Sequence, residues 1–420
     1  MKKRLKILVS VYACSPVRGS EPGMGWDFVE AISKYHDLWV ITEKEKFQAE
    51  IESKLDKRPE LRGHIKFFYI TKTRHRTLRK IWPPSYYWFY KTWHKKAYAL
   101  GKELQAETGF DVIHQLNMVG FREPGYLWKL DAPFVWGPVG GLGLFPWRFL
   151  PVVGLYGMAF YLGRNIMNLM HMYLSQRPRK AAARAQGNIV AATPDTKTAI
   201  RKLWGESSEL ICEVGPPAQN AKTFSVRAPD EPLRLVWSGL HTPRKALNLL
   251  LEALPFVSRD VEWHLHILGN GARTRAWEKL AEKKGIAKQC IWHGWLPKDE
   301  ALSVMRQGHV FVITSLADLT STVVLEALSQ GMPVICLDHC GFAHVVTDDC
   351  GIKIPVRSPK QVVLDMASAV ERLWHDEDYR QQLAHGALKR VSGFAWDKKA
   401  RKVDELYQRA ISINYDRQNS

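Results

Sequence analysis

Twice along this chain, short apolar runs bounded by turn residues alternate with helical stretches of ten or more residues, and this alternation restricts the fold more than any other feature. The first series opens with "LKILVSVYACS" (5–15), a loop "PVRGSEPGMG" (16–25), a helix "WDFVEAISKY" (26–35) and a second strand "DLWVIT" (37–42). "IKFFYI" (65–70), "DVIHQL" (111–116), "PFVWGPV" (133–139) and "GNIVAATP" (187–194) continue it as strands. A second series restarts at "LRLVWSGL" (233–240) and runs through "VEWHLHILGNG" (261–271), "CIWHGWL" (290–296), "HVFVIT" (309–314) and "MPVICLD" (332–338), with helical segments between them. Strands separated by helix-length connections pair in parallel, and the helices then cover both faces of the sheet. At 420 residues the chain exceeds one ordinary core. The pattern therefore predicts an α/β protein of two doubly wound, Rossmann-like domains facing a central cleft, divided as 1–218 and 219–397. A tail helix at about 398–415 is expected to pack back on the first. The Pro-dense, aperiodic stretch "SELICEVGPPAQNAKTFSVRAPDEP" reads as the linker.

Ligands of such folds bind outside the carboxyl ends of the strands, so the loops there hold the candidate residues. "SLADLTSTVVLEALSQGMPVICLDHCG" (315–341) reads strand-loop-helix-turn-strand, with Asp318 in the loop and Glu326 in the helix behind it. Thr320, Ser321 and Thr322 place hydroxyls and unpaired amides at the helix start, which suits a phosphate or sugar oxygen. "HTPRKA" puts Arg244 and Lys245 just after a strand, where cations hold a diphosphate. In the first half, Gly19 and Gly23 let backbone amides approach a ligand ahead of a helix N-terminus; a plain βα turn is the alternative. "GSEPGMG" does not fit G-x-G-x-x-G, "GNGARTR" supplies half of it, and no G-x-x-x-x-G-K-[ST] occurs. A nicotinamide dehydrogenase is unsupported.

Six cysteines lie scattered with no CxxC pair or zinc-like spacing, which points to a reduced, cytoplasmic chain without disulfides. The apolar run of the N-terminus is about seven residues, short for a signal-peptide core, so it reads as a first strand. Charge is uneven within a formal net of +18. No Asp or Glu occurs between Glu60 and Glu103, a span that includes Lys66, Lys72, Arg74, Arg76, Arg79, Lys80, Lys91, Lys95 and Lys96. A second acid-free span runs from Asp131 to Asp195 and holds "LGLFPWRFLPVVGLYGMAFYLGRNIMNLMHMYL". Arg148, Pro151 and Arg164 interrupt its apolar run, leaving too little to cross a bilayer of roughly 30 Å. Basic and aromatic residues beside apolar helices suit a peripheral protein at the anionic inner face of the cell membrane; core helices with a solvated basic rim are the alternative. No nucleic-acid module appears, so nucleic acid is not an expected partner.

Taken together, "DLTSTVVLEALSQGMPVI", "ACSPVRGSEPGMGW", "DVIHQ" and the tail "FAWDKKARKVDELY" resemble the family 4 glycosyltransferases, the E-x7-E retaining enzymes of GT-B fold, over nearly the whole chain. The resemblance implies an N-terminal acceptor domain and a C-terminal donor domain. It also implies transfer of a sugar from a nucleotide diphosphate sugar to a hydroxyl of a saccharide or lipid-linked saccharide, as in surface polysaccharide or lipopolysaccharide assembly. No cofactor and no metal are implied. Glu326 would bind the ribose hydroxyls, Asp318 the donor sugar, and the amides of Thr320, Ser321 and Thr322 the sugar and phosphate. Lys245 would hold the diphosphate, Gly19 and Gly23 would close over it, and His114 would stand near the reaction centre. An ordinary helix acid, surface charge and a satisfied core histidine are the plainer readings of Glu326, Lys245 and His114. Two departures stand out. Asp318 replaces the family's first Glu, and Leu240 stands where its Arg is usual, which leaves Arg244 or His241 to substitute. A GT-B nucleotide-sugar epimerase and a non-catalytic scaffold are the rival functions. The pair His264 and His266 in "HLHILG" lacks a third ligand and reads as structural.

Overall fold

A computed structural model describes residues 3–72, 86–217 and 223–418. The basic residues Arg74, Arg76, Arg79 and Lys80 lie outside the described residues, as does part of the expected linker, 218–222.

The chain divides into two compact units. The first contains 1–142, 170–213 and 396–420, and the second 143–169 and 214–395. In the first, seven parallel strands follow the order β3-β2-β1-β4-β5-β6-β7. They are β1 (Lys6–Val11), β2 (Asp37–Glu43), β3 (Ile65–Ile70), β4 (Val112–Asn117), β5 (Phe134–Val139), β6 (Ile189–Ala191) and β7 (Glu209–Leu210). Central strands of a sheet covered on both faces bury every side chain and read as unbroken apolar runs. β1 reads this way beyond the exposed Lys6, while β4 is equally buried yet carries His114, Gln115 and Asn117; Val9 lies opposite both Val40 and His114. The last helix, Trp396–Gln418, belongs to this unit: Trp396 meets Phe28 edge-on at 5.0 Å, and Arg409 donates to Asn188 and to the Gly187 carbonyl.

The second unit holds six parallel strands in the order β10-β9-β8-β11-β12-β13. They are β8 (Leu233–Ser238), β9 (Trp263–Leu268), β10 (Cys290–Gly294), β11 (Val310–Ile313), β12 (Val334–Leu337) and β13 (Gly351–Ile354). Both sheets thus share the doubly wound order, with one reversal between the first and fourth strands of each.

Two expectations change. Residues 143–169 pack with the second unit although they precede its first strand. Phe145, Phe149 and Tyr161 join the core formed by Leu233, Leu235 and Trp237, and the Phe145 and Tyr161 rings stack at 4.4 Å. The start of the expected linker is instead the edge strand β7, paired with β6 through Val190–Glu209 and Ala191–Leu210.

Candidate functional site

β8 and β11 are neighbours although two strands separate them in the chain, so the loops leaving their carboxyl ends, 239–246 and 314–321, open side by side. Backbone and buried hydroxyls tie the two loops together. The Leu316 amide donates to the Arg244 carbonyl at 2.8 Å, the Thr314 hydroxyl to the Lys245 carbonyl at 2.6 Å, and the Trp237 indole to Thr314 at 3.1 Å.

On this frame Lys245, closing the turn Pro243–Lys245, donates from Nζ to Asp318 Oδ2 at 2.5 Å and to Ser321 Oγ at 3.0 Å. Arg244 Nη1 stands 3.2 Å from the same carboxylate oxygen and donates to the Ala317 carbonyl at 2.8 Å. Burial opposes ionisation of Asp318, but the charges of Lys245 and Arg244 outweigh it and hold the carboxyl below the usual carboxylate range. Burial draws the Lys245 ammonium below its ordinary value, against the pull of Asp318. Two cations on one carboxylate leave the cluster a surplus of one positive charge.

Ser321 is the N-cap position of the helix Thr322–Ser329, yet its side chain makes no capping bond and accepts from Lys245 instead. The first-turn amides of a helix have no intrahelical carbonyl to pair with and carry partial positive charge. Lys245 and a helix N-terminus therefore converge on one point, an arrangement chemically suited to an anion. Thr320 sits against Gly341, where an added Cβ would lie 1.8 Å from the Thr320 hydroxyl oxygen, so only glycine admits it. Glu326, one turn into the helix, is mostly buried and pairs with Lys298 of the helix Lys298–Gln307 at 3.7 Å. Burial pushes its carboxyl up, while Lys298 pulls it the other way.

The loop after β9 supports the loop after β8 by backbone contact. Gly239 N–H donates to the Leu268 carbonyl at 3.1 Å, and His241 N–H to that of Asn270 at 2.9 Å. Gly269 has φ +106°, and a Cβ there would lie 2.1 Å from the Gly239 oxygen. Gly269→Ala is expected to cost about 1–3 kcal/mol and to displace the Lys245 loop, read by urea denaturation.

The structure brings Arg244, Lys245, Asp318 and Ser321 together, with Thr320 and Thr322 beside them in sequence, and gives Glu326 a separate partner. Three expectations are corrected. His114 is fully buried in the first unit, with Nδ1 2.7 Å from the Tyr407 hydroxyl and Nε2 2.7 Å from the Gly137 carbonyl, so neither ring nitrogen is left for a substrate. It is a core histidine, held neutral by burial with a pKa lowered to about 4. Gly23 lies within the helix Ser20–Ser33 rather than in the loop before it; Gly19 is that helix's N-cap. His241 does not offer a cation in place of Leu240. Its Nδ1 is 2.7 Å from the Thr274 hydroxyl, and its ring packs among Trp237, Trp277 and Trp292. Arg244 is the cation that the loop does present.

Sequence reasoning missed the Lys245–Ser321 bond and the Lys298–Glu326 pair, which join residues more than 25 positions apart; the glycines of "GNG" were the visible trace of the supporting loop. His266 stacks on His293 with ring nitrogens 3.0 Å apart. Among the described residues no three His, Cys, Asp or Glu side chains gather as a metal's ligand set. A cavity of about 660 Å³ elsewhere in the second unit, lined in part by Asp348, Asp349, Tyr379 and Arg390, shares none of the site residues.

Comparison with known proteins matches this unit first. Residues 219–390 match the family described as glycosyl transferases group 1. The chain is 25% identical over 319 residues to the D-inositol 3-phosphate glycosyltransferase of Streptomyces bingchenggensis, covering 69% of this chain and 68% of the relative. Against further curated relatives it spans between 48% and 59% of their length. Among solved structures it resembles sucrose-phosphate synthase from Thermosynechococcus elongatus, with a TM-score of 0.64 at 18% identity, covering 98% of this chain and 100% of the other. It also resembles Anabaena Alr3699/HepE, solved in complex with UDP, with a TM-score of 0.60 at 15% identity over 98% and 100%. The fold is GT-B: two parallel-sheet, Rossmann-like α/β domains.

Proposed function

We propose that this chain is a retaining glycosyltransferase of family 4. It moves a sugar from a nucleotide diphosphate sugar to a hydroxyl of a saccharide or lipid-linked saccharide, in the assembly of a surface polysaccharide or lipopolysaccharide. The observation that carries the reading is the convergence of Lys245 and the N-terminus of the helix Thr322–Ser329 at the reversal of the second sheet. The match of residues 219–390 to group 1 glycosyltransferases supports it. So does the UDP complex of Anabaena Alr3699/HepE, a protein sharing the fold.

Cleaving the anomeric bond gives an oxocarbenium-like centre and a diphosphate leaving group. The diphosphate would accept from Lys245, Arg244 and the amides of Thr320, Ser321 and Thr322, while Asp318 would turn to the donor sugar's hydroxyls. Each preorganised donor of this kind contributes roughly 3–4 kcal/mol to the transition state. Asp318 holds Lys245 across the loop beside Ser321, so the cation is already placed for a diphosphate. Glu326 would accept from the ribose hydroxyls, and its raised pKa reflects a carboxylate held mostly out of water. The proposed chemistry uses no metal, because Lys245, Arg244 and the helix dipole supply the positive charge. Gly19, at the start of the first unit's opening helix, would let the amides there approach an anion.

Calorimetric titration of UDP, GDP and ADP tests the reading. One nucleotide is expected to bind the wild type and to lose about tenfold or more in affinity with Glu326→Ala, the loss of a charged hydrogen-bond acceptor being about 1.5–3 kcal/mol. Binding of none of the three would remove the donor site and leave a scaffold protein.

A further inference from the structure

The helix Gly154–Leu174 wears its polarity inside out. Its inward stripe is Gly157, Tyr161, Asn165, Asn168 and Met172, at helical spacing. Asn165 exchanges hydrogen bonds with the backbone of Phe145, 2.9 Å to its amide and 2.8 Å to its carbonyl, and Asn168 donates to the Gly143 carbonyl at 3.1 Å. The outward side carries Leu155 at 83% exposed, Tyr156 at 86% and Leu174 at 69%, with Phe160, Ile166 and Met170 between them. A helix on the surface of a water-soluble protein normally turns its apolar stripe to the core. Singly exposed apolar residues are ordinary, but a continuous exposed stripe along six turns marks a contact surface.

Charge selects the occupant. Arg164 is the helix's one charged residue, exposed Arg148 precedes it and exposed Arg179 and Lys180 follow, and no Asp or Glu occurs from 132 to 194. Two copies meeting by this face would set like charges together, whereas an anionic lipid surface complements it. The helix is fastened to its own fold by the asparagines, and among the described residues no helix is long and apolar enough to cross a membrane. We infer that the outward face of Gly154–Leu174 seats at the headgroup–acyl boundary of an anionic bilayer, with the helix lying in the membrane plane. This goes beyond the donor-site reading and does not depend on it.

The test is flotation of the full chain with phosphatidylcholine vesicles, with and without phosphatidylglycerol. The wild type is expected to float with the anionic vesicles, and Phe160→Glu/Ile166→Glu to lower the bound fraction by about tenfold or more. Phe256→Glu, at a comparably exposed aromatic outside this helix, is expected to float as the wild type does. All six native cysteines are buried, so Ile166→Cys takes an environment-sensitive dye selectively, and its emission is expected to shift to the blue on anionic vesicles. Undiminished flotation of the double variant, equal flotation with neutral vesicles, or an unshifted dye overturns the inference. A dimer in vesicle-free sedimentation that the double variant dissociates also overturns it and assigns the face to a second copy. Nucleotide titration without vesicles reports on the donor site separately, so failure of either reading is distinguishable from failure of the other.

Discussion

Lys245→Ala is expected to lower kcat for the donor by about 10²–10³-fold, the usual loss when one preorganised donor to a developing negative charge is removed. The same substitution is expected to destabilise the second unit. Asp318 is mostly buried and would keep only Arg244, whose side chain is about one third exposed. Breaking a buried ion pair from one side costs about 3–5 kcal/mol, most of it the uncompensated charge that remains. The two losses separate in a double-mutant cycle. Lys245→Ala with Asp318→Asn removes both charges, so urea denaturation should show much of the stability restored while turnover stays low. Arg244→Ala, which leaves Lys245 on Asp318, is expected to lose less on both counts. If Lys245→Ala retained wild-type turnover with the donor of whichever nucleotide binds, Lys245 would be a structural cation and the proposed chemistry would lose its centre.

The sheet strands were legible in proportion to how deeply they are buried. β1, β8 and β11 bury most of their residues and announce themselves as largely apolar runs, whereas β4 is fully buried but half polar. β7 has two residues, and β13 four that alternate Gly, Ile, Lys and Ile; such edge strands carry too little pattern to separate from loop. The path of residues 143–169 was illegible for a different reason. Apolar periodicity says that Phe145, Phe149 and Tyr161 are buried but not against which core, and here the answer is set by side-chain fit to Trp237 and Leu250 in the second unit. At the site, Lys245 and Asp318 were readable because each falls just past a strand at the sheet's reversal. His114 misled because a histidine ending a strand looks the same in sequence whether it faces a ligand or a tyrosine. Tyr407 lies 293 positions away, and no local spacing could reveal it.

That buried histidine has a measurable consequence. His114 and His94 are both fully buried in the first unit, and burial lowers their pKa values to about 4 and about 3, the nearby Arg177 charge adding to the effect at His94. In the unfolded chain each titrates near 6.5. Between those values the unfolded state binds a proton that the native state refuses, so stability is complete above pH 6.5 and falls as the pH drops toward 4. A shift of about 2.5 units at His114 corresponds to about 3 kcal/mol, and His94 contributes somewhat more. Against a typical total of about 5–15 kcal/mol, the first unit is expected to be markedly weakened by pH 4. Urea titrations across this window should show the free energy falling by about 1.4 kcal/mol per pH unit for each histidine. His114→Gln retains a donor and an acceptor for Tyr407 and Gly137 without a titrating ring. It is expected to remove about one proton from the slope near pH 5 whatever it does to stability at neutral pH. A slope unchanged in that variant would mean that His114 takes up its proton in the folded state, and that burial does not hold it neutral.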